Sequence, residues 1–138
     1  MRTVLALAAA ALLLAGATPP SEMSLRTVMM ELHGDYLRLS SALLYGDVAG
    51  ARQAARAIER HPMPPGLVAA IRSRLGARFE DFEKADLQTH AAAARIERAG
   101  GAAAAAKAYG DLTLSCVACH SQFRPKLLPL ADRRFPGA

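Results

Sequence analysis

This sequence lacks three features that would assign it to common classes of protein. It contains only two cysteines, and no second Cys/His pair stands at the spacing that a four-ligand structural zinc site needs. No stretch shows the alternating pattern of a β-strand, so the βαβ context of a thioredoxin-like C-x-x-C motif is also missing. No apolar run reaches the roughly 20 residues that a membrane-spanning helix requires. A zinc domain, a thioredoxin-like protein and a transmembrane anchor are therefore disfavoured.

The amino terminus has the pattern of a secretory signal peptide. Arg2 gives a positive n-region, residues 4–15 are an apolar h-region, and Ala15-Gly16-Ala17 is a small-x-small cleavage site. We expect residues 1–17 to be removed, leaving residues 18–138 as one exported domain. No cysteine follows the cleavage site to carry a lipid anchor.

Alanine is the most abundant residue of the remaining chain and the best helix former. Glycine and proline clusters divide this chain, with Ser21 as the predicted N-cap of the first helix and Pro125 ending the last. Four helices are predicted, at about residues 21–45, 48–60, 67–99 and 102–124.

The predicted helices carry apolar residues at alternating steps of three and four. Such stripes, joined by short loops, predict an all-α fold, an antiparallel four-helix bundle. The main stripes are Leu25, Met29, Leu32, Tyr36, Leu39 and Leu43 in the first helix, Val68, Ile71, Leu75, Phe79, Phe82, Ala85, Ala93 and Ile96 in the third, and Tyr109, Leu112, Cys116, Cys119 and Phe123 in the fourth.

The fourth stripe contains the motif Cys116-Val117-Ala118-Cys119-His120. C-x-x-C-H is the attachment signature of c-type haem, with two thioether-forming cysteines followed by an iron ligand. At 3.6 residues per turn, the three side chains project from one helical face. We expect one haem c, covalently bound in the bundle core, with His120 as the proximal ligand. An exported chain with this motif fits the bacterial periplasm.

Haem attachment near the carboxyl end of a four-helix chain resembles the class II c-type cytochromes, meaning cytochrome c′ and its low-spin relatives. Residues 116–124 match the family pattern C-x-x-C-H-x-x-[FY]-R. The resemblance implies that Phe123 packs near the haem and that Arg124 approaches a propionate, although a core phenylalanine and an exposed helix-terminal arginine are alternatives. One departure is the short connection between the second and third helices.

In this family the sixth position of the iron is faced by the first helix, with methionine in low-spin members and an apolar residue in cytochrome c′. Met30 is favoured by the family's spacing back from the helix end at Gly46. Gly34, one turn later, would allow close approach by a flat cofactor at a cost of about 1 kcal/mol relative to alanine. Arg26, one turn earlier, could meet a propionate.

Other residues compete for this sixth position. Met29 lies on the core stripe, where a methionine is usually a gap-filler, and His33 and an open site are further alternatives. His90 is expected at the bundle surface, and His61 as a charge partner at a helix end. Tyr36 and Tyr109 either line the pocket or fill the core.

A His/Met-ligated iron predicts a periplasmic electron carrier rather than an enzyme. The alternative is a five-coordinate protein of the cytochrome c′ kind that binds nitric oxide or carbon monoxide. A peroxidase-like site would need a distal base, for which His33 is the only candidate.

The formal charge of +5 falls by one when Arg2 is removed with the signal peptide, and by two more when the two haem propionates are added. The basic tail, with Arg124, Lys126, Arg133 and Arg134 against Asp132, predicts a redox partner with an acidic surface. A nucleic-acid partner is not expected outside the cytoplasm. A homodimer is permitted by the alanine-rich second helix without being required.

Overall fold

Helices dominate the computed structural model, which describes residues 23–135, and the predicted all-α class is confirmed. The described chain forms α1 (Leu25–Leu44), α2 (Val48–Glu59), α3 (Pro65–Leu75), α4 (Phe79–Glu97) and α5 (Ala102–Leu127), with two short strands, β1 (Met23–Ser24) and β2 (Arg134–Phe135). The predicted signal peptide and the predicted cap Ser21 lie outside the described residues. Among those residues, none of the helices combines the length and hydropathy of a membrane span.

The first helix begins at Leu25, later than predicted, because Ser24 is its N-cap. The Ser24 backbone is extended, and its hydroxyl accepts a hydrogen bond from the Thr27 amide at 3.1 Å. Ser24 is also the last residue of strand β1, which pairs antiparallel with β2, Met23 opposite Phe135. The start of α1 is therefore fixed against the carboxyl-terminal end of the described chain.

The prediction of one unbroken helix over residues 67–99 is wrong. Helix α3 begins earlier, with Pro65 in its first turn, and ends at Leu75. Gly76 has φ +56°, which interrupts the helical backbone, and a 3₁₀ turn over Gly76–Arg78 leads into α4. Because Leu75 and Phe79 are both buried, the apolar stripe continues across the break.

The prediction that Pro125 ends the last helix is also wrong, by one turn. Helix α5 includes Pro125 and ends at Leu127, followed by a 3₁₀ turn over Leu128–Leu130. Proline cannot donate to the carbonyl of residue 121. Ser121 is exposed, so water can satisfy that carbonyl. The second helix, by contrast, ends within one residue of its predicted boundary.

The long helices pack in sequence around the interior, α1 against α2, α2 against α4, and α4 against α5. Their buried apolar residues form two separate clusters rather than one continuous core. The first cluster includes Val28, Leu67, Ile71, Phe79, Phe82, Phe123 and Leu127. The second cluster includes Leu39, Ala51, Ala55, Ile58, Ala93, Ile96, Ala105 and Leu112. Leu32 of α1 packs against both, which places the junction between the clusters beside α1.

Candidate functional site

The two cysteine side chains lie at the junction of the two clusters. Cys119 packs against the first cluster and Cys116, one turn earlier in α5, against the second. Both side chains are partly buried, and the thiols form no disulfide. The site is therefore flanked by apolar side chains on both sides along the helix.

Burial controls the ionisation of both thiols. Removal from water raises the pKa of Cys116 above its ordinary value of 9.0. Burial, followed by the negative charges of Asp86 and Cys116, raises the pKa of Cys119 to about 11. Both thiols are consequently protonated at neutral pH. Such an environment opposes a thiolate nucleophile or a zinc thiolate but accommodates an uncharged thioether sulfur.

His120 is exposed. Thr113 precedes it by seven residues, about two helical turns, so the two side chains project from nearly the same side of α5. Thr113 donates a hydrogen bond to the Tyr109 carbonyl at 2.9 Å and is 2.9 Å from the Tyr36 hydroxyl of α1, which is therefore the donor of that second bond. The Tyr36 and Tyr109 rings stack, with centroids 5.0 Å apart. His120 therefore lies on the side of α5 that faces α1.

Tyr36 marks the corresponding side of α1. With 100° per residue, Met29 lies about 20° around the helix from Tyr36 and Met30 about 120°. Met29 is half-buried and packs against the first cluster, as Cys119 does. Met30 is 63% exposed and lines an open groove with Gly34 and Ala57 of α2. In this structure, Met29 is thus the methionine on the α5 side.

Arg26 and Gly34 have surroundings that the sequence did not predict. Arg26 donates to Asp132 at 2.5 and 3.2 Å, and this bond raises the pKa of Arg26 and lowers that of Asp132. A methyl group added at Gly34 would meet only the Arg38 guanidinium, at 3.6 Å, which is an ordinary contact. No close approach within the described chain requires glycine at position 34.

The two residues after the motif differ in their surroundings. Phe123 is 1% exposed and packs edge-on against Phe82, with ring centroids 5.6 Å apart. The Arg78 guanidinium lies over the same ring, 5.1 Å from its centroid. Arg124 is exposed in the last turn of α5. Phe123 therefore belongs to the core, and Arg124 lies where a cation favours the helix dipole.

The structure also brings together three residues that the sequence did not group. His61 and His90 stack with ring centroids 4.8 Å apart, and both face Asp86. His90 is partly buried rather than a plain surface residue, and its hydrogen bond with Asp86 raises its pKa. His61 meets the carbonyl of Ile58 near the end of α2, as a helix-end partner would. The sequence did contain one indication of this group, because Asp86 and His90 are four residues apart and therefore lie on one helical face.

In comparisons with known proteins, no family model, no curated protein and no solved structure matches this chain.

Proposed function

We propose that this protein is an exported electron carrier with one haem c attached through Cys116 and Cys119 and its iron bound by His120. The observation that carries the proposal is the C-x-x-C-H motif with both thiols partly buried on one face of α5, at the junction of two apolar clusters. A haem bound there supplies an iron that accepts and releases one electron. We further propose that the mature chain, residues 18–138, is an antiparallel four-helix bundle in the bacterial periplasm.

The chain's own contributions are a low-polarity setting and an accessible histidine. The apolar clusters on either side of Cys116 and Cys119 limit access of water, and both sulfurs, uncharged as thiols, would stay uncharged as thioethers. His120, on the next position of the same helix, is already exposed and free of core packing. Ligation by His120 therefore displaces no buried side chain.

We propose Met30 as the sixth ligand of the iron. Its spacing from the end of the first helix at Gly46 is that of the sixth ligand in the class II c-type cytochromes that the sequence resembles, and its thioether is exposed. Met29 competes because it packs against the same apolar cluster as Cys119. Ligation by Met29 would remove a side chain from the core, whereas ligation by Met30 needs α1 to present a different face to α5. A methionine ligand raises the reduction potential relative to a second histidine.

The alternative is a five-coordinate protein that binds nitric oxide or carbon monoxide. It is favoured by one observation, that Met30 is exposed on a groove shared with α2 rather than with α5. If neither methionine reaches the iron, a small gas could occupy the sixth position. Under either function, the exposed basic residues Arg124, Lys126 and Arg133 would favour an acidic partner.

Optical and electron paramagnetic resonance spectra of the purified protein test the proposal. We expect low-spin iron in both oxidation states and poor binding of carbon monoxide. Met30→Ala should give high-spin iron that binds carbon monoxide, while Met29→Ala, the matched control, should remain low-spin. The reverse result would assign Met29, and high-spin iron in the unsubstituted protein would establish the gas-binding alternative.

A further inference from the structure

The cluster formed by His61, Asp86 and His90 contains no residue of the cysteine motif and lies between the end of α2 and α4. His61 follows α2, and its side chain is only 7% exposed. Asp86 and His90 lie one turn apart on α4, with side chains 34% and 28% exposed. One donor atom from each residue lies within 4.8 Å of the others. Two imidazoles and a carboxylate therefore converge from two parts of the chain.

Backbone carbonyls fix which nitrogen of each histidine faces the cluster. His61 Nδ1 is 2.9 Å from the Ile58 carbonyl oxygen, and His90 Nδ1 bonds the Glu59 carbonyl oxygen. A carbonyl only accepts, so each Nδ1 carries the proton. In a neutral imidazole the Nε2 lone pair is then available, which is the arrangement that proteins use to orient metal-binding histidines.

Both Nε2 atoms face the carboxylate of Asp86. His61 Nε2 is 3.8 Å from Oδ1, and His90 Nε2 is 3.2 Å from Oδ2. Two lone pairs aimed at a negatively charged carboxylate repel it unless a cation lies among them. That cation is either a proton on an imidazole or a metal ion bound by all three groups.

The spacing agrees with a metal ion. Ligands held 2.0–2.1 Å from a tetrahedral zinc ion are roughly 3.3 Å from one another. The two nitrogen–oxygen distances bracket that value, and the remaining separations need to close by no more than roughly 1.5 Å. Partial exposure of Asp86 and His90 leaves room for a water molecule as a fourth ligand. Imidazole nitrogen and carboxylate oxygen together suit zinc or copper better than magnesium or calcium.

We propose that His61, Asp86 and His90 bind one divalent transition-metal ion, zinc or copper, with three protein ligands and a solvent-accessible fourth position. The ion joins the segment after α2 to α4. This site shares no ligand with the proposed haem motif, although Asp86 is close enough for its charge to raise the pKa of Cys119.

Isothermal titration of the metal-free, full-length protein with Zn²⁺ and with Cu²⁺ tests the site. If the protein is colourless, Cys116 and Cys119 are first alkylated so that thiolates cannot bind metal. We expect one equivalent of either ion to bind, with no binding of Mg²⁺. Asp86→Asn and His90→Gln should each weaken binding at least about 100-fold, because loss of even an outer-sphere partner costs 10–100-fold. Asp81→Asn, on the same helix and 55% exposed, is the matched control and should bind normally.

A measurement on the unsubstituted protein keeps the test valid if a variant does not fold. In long-range ¹H–¹⁵N spectra of the reduced protein, Zn²⁺ should shift the Nε2 signals of His61 and His90 and leave those of the exposed His33 unchanged. Absence of a one-equivalent site, equal affinity in Asp86→Asn and Asp81→Asn, or unshifted His61 and His90 signals would each overturn the proposal and leave a protonated His90–Asp86 pair in its place.

Discussion

At the scale of single residues, the two cysteines combine chemical reactivity with an environment that suppresses it. Both are partly buried beside apolar clusters, and the nearby charge of Asp86 further disfavours the thiolate of Cys119. Nucleophilic or redox cysteines usually have the opposite surroundings, electropositive and accessible. These two side chains are therefore better suited to a permanent uncharged linkage than to repeated thiol chemistry.

This environment predicts slow alkylation of Cys119 in the folded, haem-free chain. Since only the thiolate reacts and the pKa of Cys119 is about 11, the rate with iodoacetamide should keep rising with pH through pH 10. In urea the rate should level off near the ordinary pKa of 9.0. Peptide mass spectrometry would follow the reaction. A rate that levels off near pH 9 in the folded chain would refute the buried placement.

Single residues also show what a sequence can and cannot predict. The C-x-x-C-H motif was readable because all its members lie within five consecutive positions of one helix. The group of His61, Asp86 and His90 was not, because it depends on how the segment after α2 packs against α4. The environment of Arg26 was missed for the same reason, since its partner Asp132 lies near the other end of the chain.

At the scale of secondary-structure elements, the sequence predicted helix boundaries correctly where several helix-breaking residues stood together. Gly46 and Asp47 separate α1 from α2, and a proline-rich segment separates α2 from α3, as predicted. The break at Gly76 was missed because one glycine within an apolar stripe is compatible with a continuous helix. Only its backbone conformation, φ +56° and ψ −129°, reveals the turn.

Substitution of Gly76 tests this break. The backbone of Gly76 has a positive φ that residues with a side chain rarely adopt. Gly76→Ala should therefore lower the free energy of unfolding by about 1–3 kcal/mol. Gly110→Ala is the matched control. Gly110 lies inside α5 with no atom near the added methyl group, and alanine there should stabilise the protein by about 0.4–1 kcal/mol. Urea denaturation of both variants would measure the changes. An unchanged stability in Gly76→Ala would contradict this backbone conformation at residue 76.

At the scale of the whole molecule, the helices surround two apolar clusters while the ends of the described chain are joined. The Arg26 amide donates to the Ala131 carbonyl at 2.9 Å, and β1 pairs with β2 at the same end. Tyr36 and Thr113 connect α1 to α5 farther along. The proposed electron transfer would need little rearrangement around its iron, and helices joined at both of these places would favour it. The sequence predicted the helices and their apolar faces, but the division of the core depends on how those faces meet.

Covalent haem attachment is tested most directly by purifying the chain from a host able to attach c-type haem. Its intact mass and its visible spectrum are then measured after denaturation. We predict one haem per polypeptide that resists extraction with acidified organic solvent, and its loss in Cys116→Ala/Cys119→Ala. A colourless product with the mass of the bare polypeptide, from a host that loads a known c-type cytochrome in parallel, would contradict the central claim.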